Sequence, residues 1–493
     1  MTKALSTSPD CNRTGVAPSQ WILIFHLIGR MSSHKKIMKN KPILKNRTLP
    51  LSLVATGLFI GLALDISVHA QSSDALVDKL VDKGILTVKE ANELREEADK
   101  GFTSAYQVKS GMPDWVNSLR FNGDLRLRFD GIQADNPAFL DRNRFRYRAR
   151  FGFTAVMRDD FEVGLRLMSG EGTSIDRVSD PISGNSTFDN NGAKKGVFID
   201  LVYAKWSPIN TADWSASFTG GKMENPFVLS DLIFDPDYTP EGLGQQWAYK
   251  IDENHSAKLN LGGFLLDELR ASSNDPYLLG AQVRLDSTWS PKIQTSVGIA
   301  GLSITGTPNL STANLPDQNK GNTRVNVGTA ASPVFVPAVN FNPIVVDASL
   351  TYLLDSFPHY SGAFPIRFGG DYVNNLATSS DNQAYSVGVT FGKSGKRGTW
   401  DLTYRWKSLE ADSWFEEFVD SDTGAFYQSA PLGGSSGYGP GTNLRGHYIK
   451  AAYSPLDSLT LGLTYFLFDL IKESPSGSDS QTGRIQIDAT WKF

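Results

Sequence analysis

Apolar and charged side chains alternate along most of the chain, from Leu119 to the C terminus. In residues 143–156, for example, Phe145 and Phe151 fall between successive arginines. Successive side chains of a β-strand point to opposite faces of the sheet, so each such segment has one apolar and one charged face. The pattern therefore predicts strands that separate hydrocarbon from water.

About sixteen segments follow this pattern, and their lengths fit the roughly 9–11 residues with which a tilted strand crosses a bilayer. Their connections alternate between turns of about five residues and loops of about twenty, which is typical of outer-membrane barrels. We therefore predict an all-β fold, a transmembrane antiparallel β-barrel of about 16 strands (16–18) in residues 117–493. The predicted strands are 119–130, 143–156, 161–170, 196–206, 213–222, 245–252, 257–266, 277–288, 293–304, 344–354, 365–375, 383–393, 399–410, 443–454, 459–469 and 484–493.

Tryptophan positions agree with this fold. Several tryptophans fall at the ends of predicted strands that adjoin the short turns, where an aromatic girdle at one membrane interface belongs. They are Trp206, Trp214, Trp289, Trp400 and Trp491. Strands in lipid must also pair every backbone polar group, and only a closed sheet does so.

A helical pattern precedes the strands, in residues 73–100. Leu76 and Leu80 share one face, Gly84 interrupts the pattern, and residues 87–90 (Thr-Val-Lys-Glu) form a capping box that opens a second helix. We predict a short periplasmic helical hairpin and linker in residues 71–116. It serves either as a self-association or docking element, or as a small plug or spacer packed on the barrel.

The first seventy residues have the features of an export signal. Basic residues precede an uncharged run at 49–64, and Val68 and Ala70 are the small residues expected before a cleavage site. Residues 38–70 are therefore interpreted as a signal peptide. Residues 1–37 are an upstream extension from a start codon assigned too early, or a genuine extension with an apolar anchor.

Composition and charge exclude several classes. No apolar run reaches the ~18–20 residues of a membrane-spanning helix, which excludes a helical membrane protein. Without residues 1–70 the chain has 39 basic and 50 acidic side chains, a net charge of −11, which argues against nucleic acid as a partner. The single cysteine, Cys11, also lies in the removed part, so disulfides cannot hold the exported chain together.

Several motifs carry a family resemblance. They are the segment 80–90, the arginine-rich second strand, 221–227 (GKMENPF), 232–243 (LIFDPDYTPEGL), 409–412 and 420–422. Together they resemble the bacterial outer-membrane putative porin family. The resemblance implies a diffusion channel for small hydrophilic solutes in the outer membrane, and it also implies a homotrimer. The terminal Phe493 resembles the signal that the barrel-insertion machinery recognises in this class of proteins.

An arginine row is the main candidate for the pore lining. Alternation places its members on the water-facing side of the first two strands: Arg126, Arg128, Arg142, Arg144, Arg146, Arg148 and Arg150. Like charges in a row repel unless water or countercharge lies beside them. The row is therefore a basic wall of the pore, or a structural row neutralised by acids such as Asp124, Glu162 and Asp200.

Residues 223–244 form the third long loop. By resemblance to general porins, this loop folds into the barrel, so that Asp235, Asp237 and Glu241 face the arginines. Opposed charges would then set up a transverse field that orders polar solutes and rejects apolar ones. The alternative is an acidic loop on the outer rim.

Other motifs do not carry chemistry. Asp235 and Asp237 mimic the start of a calcium loop, but Pro240 occupies the glycine position. Residues 388–394 resemble a phosphate loop but have only three residues between the glycines, where four are required. Of the histidines after residue 70, only His447 lies on a predicted strand. We therefore predict no catalytic residues, no metal and no cofactor.

The sequence as a whole predicts an outer-membrane porin with a charged constriction, which contacts lipid and passes small hydrophilic solutes. The alternative is a non-conducting structural or adhesive barrel that acts through loops 305–343 and 411–442, both rich in Gly, Ser and Asn. The net charge favours cations as permeant ions, whereas the arginine wall favours anions.

Overall fold

The computed structural model describes residues 113–493, except 175–176, 179–181, 271, 312–318, 435–438, 440 and 474–478. The predicted signal peptide, the upstream extension and the predicted helical hairpin up to residue 112 lie outside the described residues. Among the residues described, no helix combines the length and apolar character needed to cross a bilayer.

Within this part of the chain, sixteen long strands form one antiparallel sheet, which confirms the predicted fold. They are β1 Val116–Ala134, β2 Arg142–Met157, β3 Phe161–Gly170, β4 Gly196–Asn210, β5 Trp214–Lys222, β6 Glu241–Lys250, β7 His255–Leu265, β8 Tyr277–Ser290, β9 Ile293–Thr305, β10 Pro343–Leu354, β11 Phe364–Asn375, β12 Gln383–Gly392, β13 Thr399–Leu409, β14 Leu444–Leu456, β15 Leu459–Leu470 and β16 Thr482–Lys492. All sixteen overlap the predicted segments.

The sheet closes on itself through β1, which pairs with β2 on one side and β16 on the other. Beyond the end of β16, the backbone of Phe493 continues the pairing. Its carbonyl accepts from the N–H of Gly123 at 2.8 Å, and its N–H donates to the Gly123 carbonyl at 3.1 Å. Closure satisfies the strand polar groups that an open edge would leave unpaired in lipid.

The outer face of the barrel is apolar. On β1, for example, exposed Leu125 and Leu127 alternate with buried Asp124 and Arg128. Other apolar side chains exposed on the outer face include Phe145, Phe151, Val163, Leu167, Val202, Val283, Leu285, Val297, Ile299, Leu350, Phe368, Val387, Leu402, Ile449 and Leu463. This face is the one suited to lipid, because burying apolar surface away from water is favourable.

The two ends of the barrel differ in their connections. At the end where the described residues begin and end, seven turns of two to nine residues join the strands. At the other end, eight loops of seven to 37 residues do so. Three of these matter below: L2 (171–195), L3 (223–240) and L7 (410–443).

The loops also contain short elements. These are strands Gly172–Ser174, Arg177–Val178, Ser186–Thr187, Arg324–Asn326 and Phe335–Pro337, with single 3-10 turns at Asn190–Gly192 and Thr307–Asn309.

The hydrophobic core lies inside the barrel, near the loop end. L3 contributes Ile233 and Phe234, and L7 contributes Trp414 and Phe418. Phe234 meets Trp414 edge-on with ring centroids 6.1 Å apart, and the Trp414 indole N–H donates to the Ile233 carbonyl at 2.9 Å. The two loops therefore pack as one unit against the inner wall.

Candidate functional site: the charged lumen

The register of β1 and β2 decides what the arginines face. Arg126 lies directly opposite Arg148, and Arg128 lies directly opposite Arg146. Like charges opposite each other on neighbouring strands are destabilising, so the arginines require carboxylates nearby. These carboxylates come from the barrel wall and from the inserted loops.

Arg148 links the wall to L3. One of its guanidinium nitrogens lies 2.7 Å from both carboxylate oxygens of Asp237, and another lies 3.3 Å from Asp124. Arg150 bonds the same two acids, at 2.6 Å to Asp124 and 3.3 Å to Asp237. The tip of L3 is thus held directly on β2.

Arg128 links the wall to L7. It donates to both oxygens of Asp488 on β16, at 2.7 and 2.9 Å, and to Asp422 on L7 at 3.1 Å. Arg484 on β16 also lies 3.1 Å from Asp422. Burial would raise the pKa of the Asp422 carboxyl, but Arg128 and Arg484 together bring it far below its usual range. L7 is therefore held by an ionised carboxylate.

The remaining predicted arginines have other surroundings. Arg144 forms an ion pair with Asp130 at 2.6 Å. Arg126 and Arg146 both donate to Asn185 of L2, at 2.7 Å to its side-chain oxygen and at 3.3 Å to its carbonyl. Arg142 is exposed at the loop end of β2.

The wall acids named in the sequence analysis have separate partners. Asp124 pairs with Arg148 and Arg150, as described above. Asp200 pairs with Arg166 on β3, while Glu162 accepts a hydrogen bond from the Tyr203 hydroxyl at 2.7 Å. The structure therefore brings one of the three carboxylates to the predicted arginine row.

The predicted acids of L3 separate in space. Asp237 lies on the arginines, as described. Asp235 faces L7, and its carboxylate accepts from the backbone N–H of Ser421 on L7 at 2.9 Å and from that of Asp237 within L3 at 2.8 Å. Glu241 begins β6 and pairs with Lys222 at 3.0 Å. Only one of the three predicted loop acids thus contacts the arginine row.

Burial makes the Asp235 carboxyl an unusually weak acid. Desolvation, together with the nearby Asp420 and Asp237 carboxylates, raises the pKa of Asp235 to about 7, although the two backbone N–H groups oppose the shift. Burial likewise raises the pKa of Asp420 to about 6, against the attraction of Lys407. Both carboxyls therefore titrate near neutral pH.

Lys407 on β13 is a lumenal residue that sequence reasoning missed. It is only 1% exposed and lies 2.6 Å from Asp231 of L3 and 3.4 Å from Asp420 of L7. One ammonium group therefore joins both inserted loops to the barrel wall. In the sequence it is one more charged residue in an alternating strand, and nothing distinguishes it from residues that face open water.

The space beside these loops is a polar cavity of about 700 Å³. Arg126, Arg128 and Arg148 line one side, and residues of β8 and of β10 to β15 line the other. A second cavity of about 1110 Å³ lies at the turn end, and the two share Ser349 and Arg367 in their linings. The lumen thus continues from the inserted loops to the turn end.

The remaining candidate residues lie away from this lumen. His447 is exposed on the outer face of β14, where its Nδ1 lies 2.7 Å from the Tyr404 hydroxyl. In the part of the chain that the structure describes, no group of three or more His, Cys, Asp or Glu side chains could hold a metal ion. Phe493 completes the sheet, as described above.

Comparisons with known proteins address the family. Residues 133–327 match a family model described as putative porin, which confirms the predicted resemblance. No curated protein sequence matches the chain.

Solved structures similar to this barrel come from outer-membrane proteins. The high-pH structure of Pseudomonas putida OprB has 11% identity and a TM-score of 0.46, and covers 80% of this chain and 97% of its own. A loop L8 deletion mutant of Vibrio cholerae OmpT has 11% identity, a TM-score of 0.42 and coverages of 76% and 99%. Salmonella typhi OmpF in complex with daunomycin has 9% identity, a TM-score of 0.41 and coverages of 76% and 97%.

Proposed function

Because residues 133–327 match the putative porin family, we propose that the chain is an outer-membrane porin through which small hydrophilic solutes diffuse passively. The observation that carries the proposal is the lumen. A closed barrel with an apolar outer face encloses a cavity lined by charged and hydroxyl side chains, which continues to the turn end. Apolar solutes gain nothing from such a lining, whereas hydrated solutes exchange water for polar groups.

Size selection in this proposal comes from the inserted loops. L3 and L7 occupy the lumen near the loop end and are held by Lys407 and by the arginines of β1 and β2. Solutes would pass beside them, between the arginine side and the opposite wall formed by β8 and β10 to β15. Low-dielectric walls concentrate the potential of the lining charges in this space.

The cellular setting follows from the same proposal. The chain would be exported by its signal peptide and inserted by the barrel-insertion machinery, which would read Phe493. In the membrane it would contact lipid and assemble as a homotrimer. The helical hairpin would stay on the periplasmic side.

Planar-bilayer recording tests the proposal. Purified full-length protein in detergent is added to one side of a lipid bilayer in KCl, and we expect discrete conductance steps. Swelling of liposomes in neutral sugars of increasing mass then gives the size limit. Protein without discrete steps and without sugar-driven swelling would contradict a channel.

One observation favours the alternative of a non-conducting barrel. The apolar packing of L3 with L7 fills part of the lumen with fully buried side chains, among them Leu232 and Trp414. A barrel closed in this way would act through its outer loops. The same bilayer recording distinguishes the porin from the non-conducting barrel, since a closed barrel inserts without conducting.

A further inference from the structure

Two cations on the side of the cavity opposite the arginine wall have no carboxylate partner among the described residues. They are Arg367 on β11 and Lys450 on β14, and both line the 700 Å³ cavity with exposed side chains. Among the described residues, no carboxylate lies within ion-pair distance of either one. Within the described residues, Arg367 makes one side-chain hydrogen bond, to the Ser349 hydroxyl at 3.2 Å.

Two threonines connect these cations in a single row across the sheet. Arg367 lies opposite Thr390 on β12, Thr390 opposite Thr403 on β13, and Thr403 opposite Lys450. The two hydroxyl oxygens are 3.0 Å apart, and all four residues line the cavity. With strands about 4.8 Å apart, the backbones of the two cations are separated by roughly 14 Å. We call this row the β11–β14 strip.

We propose that the β11–β14 strip binds small anions and makes the pore anion-selective, while the ion-paired arginines Arg128 and Arg148 contribute little to the selectivity. This inference rests on the proposed channel function and names its solute class. The anions are those with carboxylate, phosphate or sulfate oxygens, together with chloride.

The chemistry of the strip suits such ligands. An ammonium group has three N–H donors and a guanidinium group five, and neither has an acceptor. The threonine pair shares one hydrogen bond, so one of its two O–H groups remains available to donate. Charge-assisted hydrogen bonds to anionic oxygens are about twice as strong as neutral ones. The strip therefore offers donors along its whole length.

The carboxylates nearest the strip are already engaged. Asp347 is held by Arg284 at 2.8 Å, and Asp371 pairs with Arg405. Asp401 lies two residues from Thr403 on the same face of β13, and it accepts from the backbone N–H of Ser394 at 3.1 Å. The positive potential at the strip is thus reduced but not cancelled.

On the opposite side of the cavity, Arg128 and Arg148 already have carboxylate partners. Arg148 shares Asp237 and Asp124, and Arg128 shares Asp488 and Asp422. Arg126, the third arginine on this side, is held by the Asn185 side chain of L2, and each of the other two guanidinium groups already contacts two carboxylates. An incoming anion would have to displace one of them, whereas at the strip it displaces only water.

The test is the reversal potential of single channels in a KCl gradient, with the double variant Arg367→Gln/Lys450→Gln. We expect the chloride-to-potassium permeability ratio to fall by a factor of about three to ten for each charge removed. The charge-conserving variant Arg367→Lys/Lys450→Arg should keep the ratio. Arg445→Gln is the matched control, because Arg445 is exposed on the outer face of the same strand as Lys450.

Block of the chloride current by inorganic phosphate gives a second measurement. We expect block in the wild type, weaker block in Thr390→Val/Thr403→Val, and none in the double cation variant. A double cation variant that conducts with unchanged selectivity and unchanged block would overturn the strip proposal but leave the channel intact. A wild-type protein that does not conduct would instead overturn the proposed function.

Discussion

One guanidinium nitrogen of Arg148 lies 2.7 Å from each carboxylate oxygen of Asp237, so the tip of L3 rests directly on strand β2. This relationship differs from a transverse field, in which opposed charges stand apart across an open passage. A direct ion pair neutralises both charges and fixes the loop. We therefore interpret Asp237 primarily as an anchor of L3.

Asp237→Asn should release this anchor. Arg148 and Arg150 would then share only Asp124, so the lumen would gain uncompensated positive charge and L3 would become more mobile. We expect a shift of the reversal potential toward anions and more frequent current substates in single-channel records. Asp355→Asn is a suitable control, because Asp355 forms an exposed pair with Lys292 at the turn end. Equal effects of the two substitutions would contradict the anchoring role.

The contact between L3 and L7 should weaken as the pH rises through neutrality. The pKa of Asp235 is raised from its usual 3.8 to about 7, so between these values the folded state binds more protons than the unfolded state. Stability of the contact therefore falls as the pH rises through this window, and it levels off above about 7. Asp420, with its pKa raised to about 6, acts in the same direction.

Single-channel noise recorded between about pH 5 and pH 8 measures this dependence. We expect quiet records at low pH and increasing loop fluctuations above the pKa of Asp235. Asp235→Asn keeps a neutral side chain at every pH, so it should stay quiet over most of the range. Asp479→Asn changes an exposed acid of the last loop and should behave like the wild type. Noise that is independent of pH in the wild type would refute the assignment.

Loss of the Lys407 ammonium group should lower the stability of the barrel. Lys407→Met would leave the buried Asp420 and the half-buried Asp231 without this cation, and breaking a buried ion pair costs about 3–5 kcal/mol. We expect a lower free energy of unfolding in urea and a larger mean conductance, since both loops lose their attachment. For the free energy of unfolding alone, Lys450→Met serves as the control, because Lys450 is exposed and has no carboxylate partner among the described residues. A similar loss in both variants would argue against a special role for Lys407.

The fold is predictable from the sequence because a membrane barrel repeats one physical constraint along its length. Each strand, such as β2, must present apolar side chains to lipid and polar ones to water, which imposes a period of two. The alternation of short turns with long loops and the positions of the tryptophans add independent support for the barrel. Hydrogen-bond register and the burial of individual charges do not follow from this periodicity.

The candidate site was only partly predictable for that reason. Alternation places Arg148 and Lys450 equally on the inner face, but only the register and the path of the loops reveal that Arg148 is paired and Lys450 is not. The insertion of L3 was expected from a resemblance. The insertion of L7 was not, because its apolar residues Trp414 and Phe418 belong to a long polar loop whose partners are far away in the sequence.

The last residue permits a separation of backbone and side-chain roles in barrel assembly. Phe493 exchanges two backbone hydrogen bonds with Gly123, and its ring lies against Gly123, where an added Cβ would come within 2.7 Å of ring atoms. Phe493→Ala keeps the backbone bonds and removes the ring, whereas deletion of Phe493 removes both. If the ring is the insertion signal, both variants should fold from urea into detergent about as well as the wild type. In cells, however, both should yield little folded barrel in the outer membrane. Phe493→Tyr should restore the yield, measured by heat-modifiable mobility on gels. Normal cellular yield of Phe493→Ala would show instead that backbone closure alone suffices.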